Sequence, residues 1–246
     1  ASLPYELTDA QKIALTEIHN DMMQPNRMLR LLQGDVGSGK TIVALLAALS
    51  VLENGGQAAF MAPTEILARQ HYENFQELLA LLDLEVAILT GRDRGSARSE
   101  KLKRLENGST NVIVGTHALF QEDVKFENLM LAVIDEQHRF GVHQRLNLAN
   151  KGHGIDTLVM TATPIPRSLL LTAYGDLDCS RLICKPPGRQ PIDTRTIPNT
   201  RLSDVIHSIG RAIQKKTKIY WICPLIEESE TIDLSNAEAR YTFCLL

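Results

Sequence analysis

One stretch, Gly34-Asp35-Val36-Gly37-Ser38-Gly39-Lys40-Thr41, constrains this chain more than any other. It satisfies G-x-x-x-x-G-K-[ST] at every fixed position. An apolar run, Met28–Leu32, precedes it, and a helix-period segment from Lys40 to Asn54, stopped by Gly55-Gly56, follows it. Glycines there let consecutive backbone N–H groups turn inward on phosphate oxygens, and the helix N-terminus adds the positive end of its dipole. Lys40 is expected to reach the β- and γ-phosphates of a nucleotide and the Thr41 hydroxyl to bind Mg²⁺. Such a loop needs a strand before it and a helix after it, so the chain must be α/β at this point.

The pattern continues along the chain. Gln57–Met61, Glu85–Leu89, Asn111–Val114, Met130–Ile134 and Thr157–Met160 read as strands, and Thr64 to Leu82 reads as a long helix opened by Pro63-Thr64. Alternating helices with nearly all-apolar strands predict a parallel sheet covered on both faces, with sites beyond the strand carboxyl ends. Three prolines and a glycine in Lys185-Pro186-Pro187-Gly188-Arg189-Gln190-Pro191 forbid a continuous helix or central strand. We therefore expect a first domain over 1–185, a linker over 186–191, and an incomplete second α/β unit over 192–246. In that unit Thr194–Ile197 and Lys218–Cys223 read as strands and Arg201–Lys216 as a helix.

Composition narrows the class. Apolar residues make up 44% and charged residues 22%, which suits a folded chain and excludes disordered or collagen-like proteins. A net charge of −3 excludes a uniformly basic nucleic-acid glove, so any DNA contact must be local. The longest greasy stretch, Ile42 to Leu52, falls well short of the ~20 residues that span a bilayer. The N-terminus, Ala1-Ser2-Leu3-Pro4-Tyr5-Glu6, has no signal-peptide character. A cytoplasmic protein without membrane contact, cut from a longer chain, is expected. Cys179, Cys184, Cys223 and Cys244 lack zinc-ligand spacing and read as free buried thiols.

A phosphate loop leaves kinases, GTPases and motor ATPases open, and a second acidic element separates them. Leu131-Ala132-Val133-Ile134 delivers Asp135-Glu136-Gln137-His138 to a strand end. Asp135 would hold Mg²⁺, and Glu136 would polarise the attacking water, which favours an ATPase over a kinase. Thr161-Ala162-Thr163-Pro164 stands at the next strand end, where small hydroxyl side chains can link the nucleotide site to neighbouring loops. The plain alternative for Thr161 and Thr163 is side-chain hydrogen bonding before a proline.

Together, the loop, Asp135-Glu136-Gln137-His138 and Thr161-Ala162-Thr163-Pro164 resemble superfamily 2 helicases and translocases of the DExH type. Within them, Asp135 to Arg145, Thr161 to Arg167, Met61 to His71, Val114 to Phe120 and Trp221 to Glu230 resemble the RecG family. The Mfd family of translocases is similar too, but has Gln at the place of His138. The resemblance implies a RecA-like P-loop NTPase domain, a three-layer αβα fold on a mainly parallel sheet, followed by the start of a second such domain. It also implies ATP and Mg²⁺ as cofactors, and DNA as partner, single-stranded or branched and held by its backbone. A second motor lobe supplying arginines to the γ-phosphate and a wedge domain that splits forks are implied in the full-length protein.

The resemblance further assigns residues. Gln11, in Leu7-Thr8-Asp9-Ala10-Gln11, would read adenine, although Thr8-x-x-Gln11 also satisfies a helix capping box. Pro63, Thr64, Glu65 and Arg69, with Gly115, Thr116 and His117, would grip the phosphate backbone of one DNA strand. Helix N-capping is the structural alternative for Thr64. His138 would belong with Thr161, Ala162 and Thr163 in the relay between nucleotide and DNA. Six basic residues from Arg92 to Arg104 stand against Asp93 and Glu100, and read as a solvated helix face with a possible auxiliary phosphate contact. A nucleotide-binding regulatory module that never moves DNA, or an Mfd-type double-strand translocase, remain the alternatives.

Overall fold

The structure is a computed structural model that describes residues 6–135, 154–163, 177–183 and 192–223. It divides into two compact units, Ala1–Arg189 and Gln190–Leu246.

In the first unit the elements in chain order are α1 (Asp9–Met22), β1 (Leu29–Gly34), α2 (Lys40–Glu53), β2 (Gln57–Met61), α3 (Glu65–Ala80), β3 (Val86–Leu89), α4 (Gly95–Glu106), β4 (Val112–Gly115), β5 (Leu129–Asp135), β6 (Asp156–Thr161) and β7 (Asp178–Leu182). A 3₁₀ turn, His117–Phe120, follows β4. The strands form one sheet in the order β3-β4-β2-β5-β6-β1-β7, and every pairing is parallel. All six strands expected in this unit form, within a residue or two at their ends.

Alternation along the buried strands explains why the sheet must be covered twice. In β2, Ala58 and Phe60 pack into a core with α1, α2 and α3, while Ala59 and Met61 face a second core with Leu105 of α4 and Leu119 of the 3₁₀ turn. β5 divides the same way, with Leu131 and Val133 on one side and Ala132 and Ile134 on the other. Successive side chains of a strand point to opposite faces, so an all-apolar strand has no face to give to water.

β7 is a strand that the sequence reading missed. Its sequence, Asp-Cys-Ser-Arg-Leu, is too polar to read as one, and its inward Ser180 is buried because Arg30 gives it a partner. Arg30 donates from Nη1 to Ser180 Oγ at 2.9 Å and to Glu17 at 3.3 Å, and from Nε to Asp21 at 2.7 Å. Burial opposes the guanidinium charge, but the bonds and charges of Asp21, Asp178 and Glu17 outweigh it and raise its pKa. This network ties α1 and β7 to β1. At the foot of β6, burial pushes the Asp156 carboxyl up, although the Met28 N–H donates to it at 2.6 Å.

The second unit corrects two expectations. Its helix, α5 (Leu202–Gln214), forms behind a 3₁₀ turn, Asn199–Arg201. Thr194–Ile197 and Lys218–Cys223, however, are not strands. A strand needs a neighbour to take its backbone N–H and C=O groups, and no strand stands among the described residues of this unit. The linker residues 186–191 lie outside the described residues, as do Cys184 and Cys244; Cys179 and Cys223 are free thiols but half-buried rather than buried, Cys179 because it lies on the edge strand β7 and Cys223 because its segment joins no sheet. Among the described residues no helix is long and apolar enough to cross a membrane.

Candidate active site

The register of the sheet brings the singled-out segments to one edge. Gln33 lies beside Thr161, Asp135 beside Met160, and Met61 beside both Ile134 and Gly115. The carboxyl ends of β1, β2, β4, β5 and β6 therefore stand at nearly the same level, with neighbouring strands about 4.8 Å apart. That is where open parallel sheets place their ligands.

The phosphate loop is built as its sequence requires. Gly37 and Gly39 have φ of 75° and 87°, and Gly39 is the N-cap of α2. A Cβ on Gly39 would stand 2.2 Å from Gln11 Nε2, so a side chain here would strain the backbone and push the Gln11 amide aside. Asp35, Val36 and Gly37 are exposed, Gly34 and Ser38 are buried, and Thr41 is half-buried. Lys40 is buried, and its Nζ donates to the carbonyls of Gly34 at 2.7 Å and Asp35 at 3.1 Å. Its ammonium thus lies folded over the loop rather than out in solvent.

Gln11 forms the capping box that its motif offered as the structural alternative, and it reaches the phosphate loop as well. Its Oε1 accepts from Thr8 N at 2.9 Å while Thr8 Oγ1 accepts from Gln11 N at 3.3 Å, a complete capping box at the start of α1. Its Nε2 donates to Ser38 O at 2.9 Å, inside the phosphate loop. The same amide therefore starts one helix and braces the loop that starts another.

Asp135 ends β5, and its Oδ2 lies 2.9 Å from His71 Nε2 on α3, with both side chains largely buried. Glu136 and His138 lie outside the described residues. Thr161 is buried, and its Oγ1 accepts from Thr163 N at 3.1 Å and lies 2.9 Å from Thr163 Oγ1. Gln33 Nε2 donates to Thr163 O at 3.2 Å, which joins the Thr161-Ala162-Thr163 turn to the strand that feeds the phosphate loop.

The donor chemistry suits a magnesium nucleotide. Buried Lys40, the N-terminus of α2 and the loop amides offer positive potential to phosphates. Thr41 and Asp135 offer hard oxygen atoms, and no group of three His, Cys, Asp or Glu side chains placed to hold a metal ion stands among the described residues. Few protein ligands are what Mg²⁺ takes when substrate phosphates and waters complete its shell.

On the neighbouring loops, Thr64 caps α3, accepting from Leu67 N at 3.3 Å, and Pro63 precedes it half-buried. Glu65 sits between two arginines: Oε1 accepts from Arg69 at 2.9 Å and Oε2 lies 3.1 Å from Arg92 Nε. After β4, Gly115 is closely packed, a Cβ there meeting Leu89 O at 2.3 Å. Thr116 is buried as the N-cap of the 3₁₀ turn, and His117 is exposed. Within the basic run, Arg98 pairs with Asp123, Lys101 with Asp93, and Arg104 with Glu85. The run is thus only partly the solvated helix face expected of it: Arg104 is half exposed, but Arg98 and Lys101 are largely covered by their partners' loops, and Arg92 and Arg94 precede α4. Burial raises the Asp93 carboxyl, but hydrogen bonds from Lys101 and Thr90 outweigh this and hold it below the usual carboxylate range.

Comparison with known proteins agrees with this geometry. The DEAD/DEAH box helicase family matches residues 8–171. The chain is 51% identical over 246 residues to the ATP-dependent DNA helicase RecG of Escherichia coli strain K12, covering 98% of this chain and 36% of that protein. It is 50% identical over 244 residues to the same-named protein of Pasteurella multocida, covering 97% of this chain and 35% of that one. A solved structure of RecG bound to a three-way DNA junction matches with TM-score 0.76 at 50% identity, over 87% of this chain and 28% of that one. The chain thus spans about a third of the length of the curated relatives. With a family match from the capping box of α1 through the turn after β6, this chain belongs to the DEAD/DEAH box helicases.

Proposed function

We propose that this chain is the nucleotide-binding lobe of an ATP-driven DNA helicase of the RecG kind, with residues 192–246 beginning a second motor lobe. One observation carries this reading: the phosphate loop, Asp135, the Thr161–Thr163 turn and both proposed strand-contact loops leave a single sheet edge. Relatives named as RecG at about half identity support DNA as the partner.

The chain's own residues then have distinct tasks. Lys40 exchanges the carbonyls of Gly34 and Asp35 for the β- and γ-phosphates, so its ammonium gives up neutral acceptors for oppositely charged ones, which bind it more strongly. The amides of Gly37 to Thr41 and the α2 dipole hold the same oxygens. Thr41 and Asp135 would hold Mg²⁺, which supplies Lewis-acid neutralisation of phosphate charge when bound. Glu136 orients the attacking water and accepts its proton. Gln11 pairs with adenine, and His138 acts with Thr161, Ala162 and Thr163 to transmit phosphate occupancy across the sheet edge. Thr64, Arg69, Thr116 and His117, with the Pro63-Thr64-Glu65 and Gly115-Thr116 backbones, hold one strand by its phosphates without reading sequence. Closure of two lobes on ATP would step the strand, and in the full-length protein this activity would unwind branched DNA in repair and recombination.

The test is calorimetric binding of Mg·ATP and Mg·GTP to the chain and to Lys40→Ala, followed by ATPase rates with and without forked DNA. ATP preference, loss of binding in Lys40→Ala, and a low rate that rises when the second lobe is supplied are expected, since a missing arginine finger lowers related rates by roughly 10³–10⁵. Equal binding of GTP would remove the adenine role of Gln11. Absence of salt-sensitive DNA binding would point instead to a regulatory nucleotide module.

A further inference from the structure

The contact between α3 and β5 holds a residue to which the sequence reading gave no role. His71 is buried in the second turn of α3, and its Nε2 lies 2.9 Å from Oδ2 of Asp135 across a separation of 64 residues. The imidazole is held from its other side. It stacks on Phe75 with centroids 5.9 Å apart and planes 23° apart, and Phe75 meets Phe60 of β2 edge-on at 4.6 Å. Phe75 and Phe60 are both buried, so the ring has little freedom to turn away.

An ionised carboxylate only accepts hydrogen bonds, so Nε2 carries the proton in this contact. Donation to Oδ2 commits one oxygen and stops the carboxylate from rotating about its Cβ–Cγ bond. Groups that hydrogen-bond a metal-binding carboxylate from behind fix its orientation, and their removal typically lowers metal affinity about 10–100-fold.

We infer that His71 is a positioning residue for the cation, holding the Asp135 carboxylate in the orientation that receives Mg²⁺. The inference rests on the assignment of Asp135 to the metal in the proposed function. It adds that α3, through one imidazole, sets the geometry of a ligand on β5.

The test uses the full chain with a fluorescent ADP analogue, titrated with Mg²⁺ and in EDTA, and Mn²⁺ binding to the ADP complex read by electron paramagnetic resonance. The variants are His71→Ala, His71→Phe, which keeps a ring on Phe75 without the donor, His71→Gln, whose amide nitrogen restores it, and Asp135→Asn. Melting curves confirm that each folds. We expect His71→Ala and His71→Phe to weaken cation binding about 10–100-fold while leaving nucleotide affinity in EDTA unchanged, and His71→Gln to recover most of the loss. In an Asp135→Asn background, His71→Ala should add little, because the two act on one ligand. Cation affinity at the wild-type level in His71→Ala, equal losses with and without the cation, or a full further loss in the Asp135→Asn background would each overturn the inference. Failure of the underlying site reading looks different: the unsubstituted chain would show no cation-dependent nucleotide binding, or Asp135→Asn would change nothing, and the inference would go with it.

Discussion

Gly39→Ala tests whether the phosphate loop is braced by Gln11, and Gly55→Ala is its control. Both glycines have positive φ, 87° and 73°, so both substitutions share the left-handed strain of about 1–2 kcal/mol. They differ in space. Nothing lies within 4 Å of a Cβ on Gly55, whereas a Cβ on Gly39 falls 2.2 Å from Gln11 Nε2. Gln11 is long enough to swing away, but only by giving up its bonds to Ser38 O and from Thr8 N. At roughly 0.5–1.5 kcal/mol for each bond, Gly39→Ala should be less stable than Gly55→Ala by about 1–3 kcal/mol. For a chain of this size each kcal/mol lowers Tm by roughly 2–4 °C, so the gap should be about 2–12 °C in parallel melts. Urea titrations with a common m-value provide a second reading. Equal stability of the two variants would refute the idea that the Gln11 side chain holds the loop. Gly39→Ala should also lose the preference for ATP over GTP, because the displaced amide no longer stands beside the loop.

Asp93→Asn should destabilise the chain at pH 7 by about 1.5–3 kcal/mol, the range for a hydrogen bond to a charged group. The folded carboxyl sits below its usual range, so its contribution is present above the unfolded pKa and disappears as pH falls through the lower folded value. Denaturant titrations from pH 7 down through pH ~3 should show wild type and variant converging; a constant difference would deny Asp93 that role. Arg69→Ala should weaken DNA binding evenly across sequences and reduce the salt slope by about one unit, as a single phosphate contact would. Sequence-dependent loss in fluorescence anisotropy would argue against a backbone contact.

Much of the fold and the site was legible without coordinates. Ala58-Ala59-Phe60-Met61 and Ala132-Val133-Ile134 have no polar face, and a strand with no polar face must be central in a covered sheet. Gly37 and Gly39 supply conformations that other residues resist, and Lys40-Thr41 opens the helix behind them. Thr8 and Gln11 form their capping box from local spacing alone. Less was legible where the signal is not local. β7 escaped notice because Ser180 occupies an inward position that would ordinarily be apolar, and its burial is made tolerable by two distant partners, Arg30, which donates to its hydroxyl, and Glu17, which accepts from it. Lys218–Cys223 misled in the other direction, since an apolar run becomes a strand only beside another strand.

Periodicity, glycine placement and the order of charged groups depend on neighbours a few residues apart, so the sequence by itself determined the α/β class, the phosphate loop and the strand ends that carry its partners. Which residue stands against which across the sheet edge depends on strand order and register, set by packing of the whole domain. That is why only the tertiary structure decided that Gln11 braces Ser38, that Gln33 reaches Thr163, and that His71 holds Asp135.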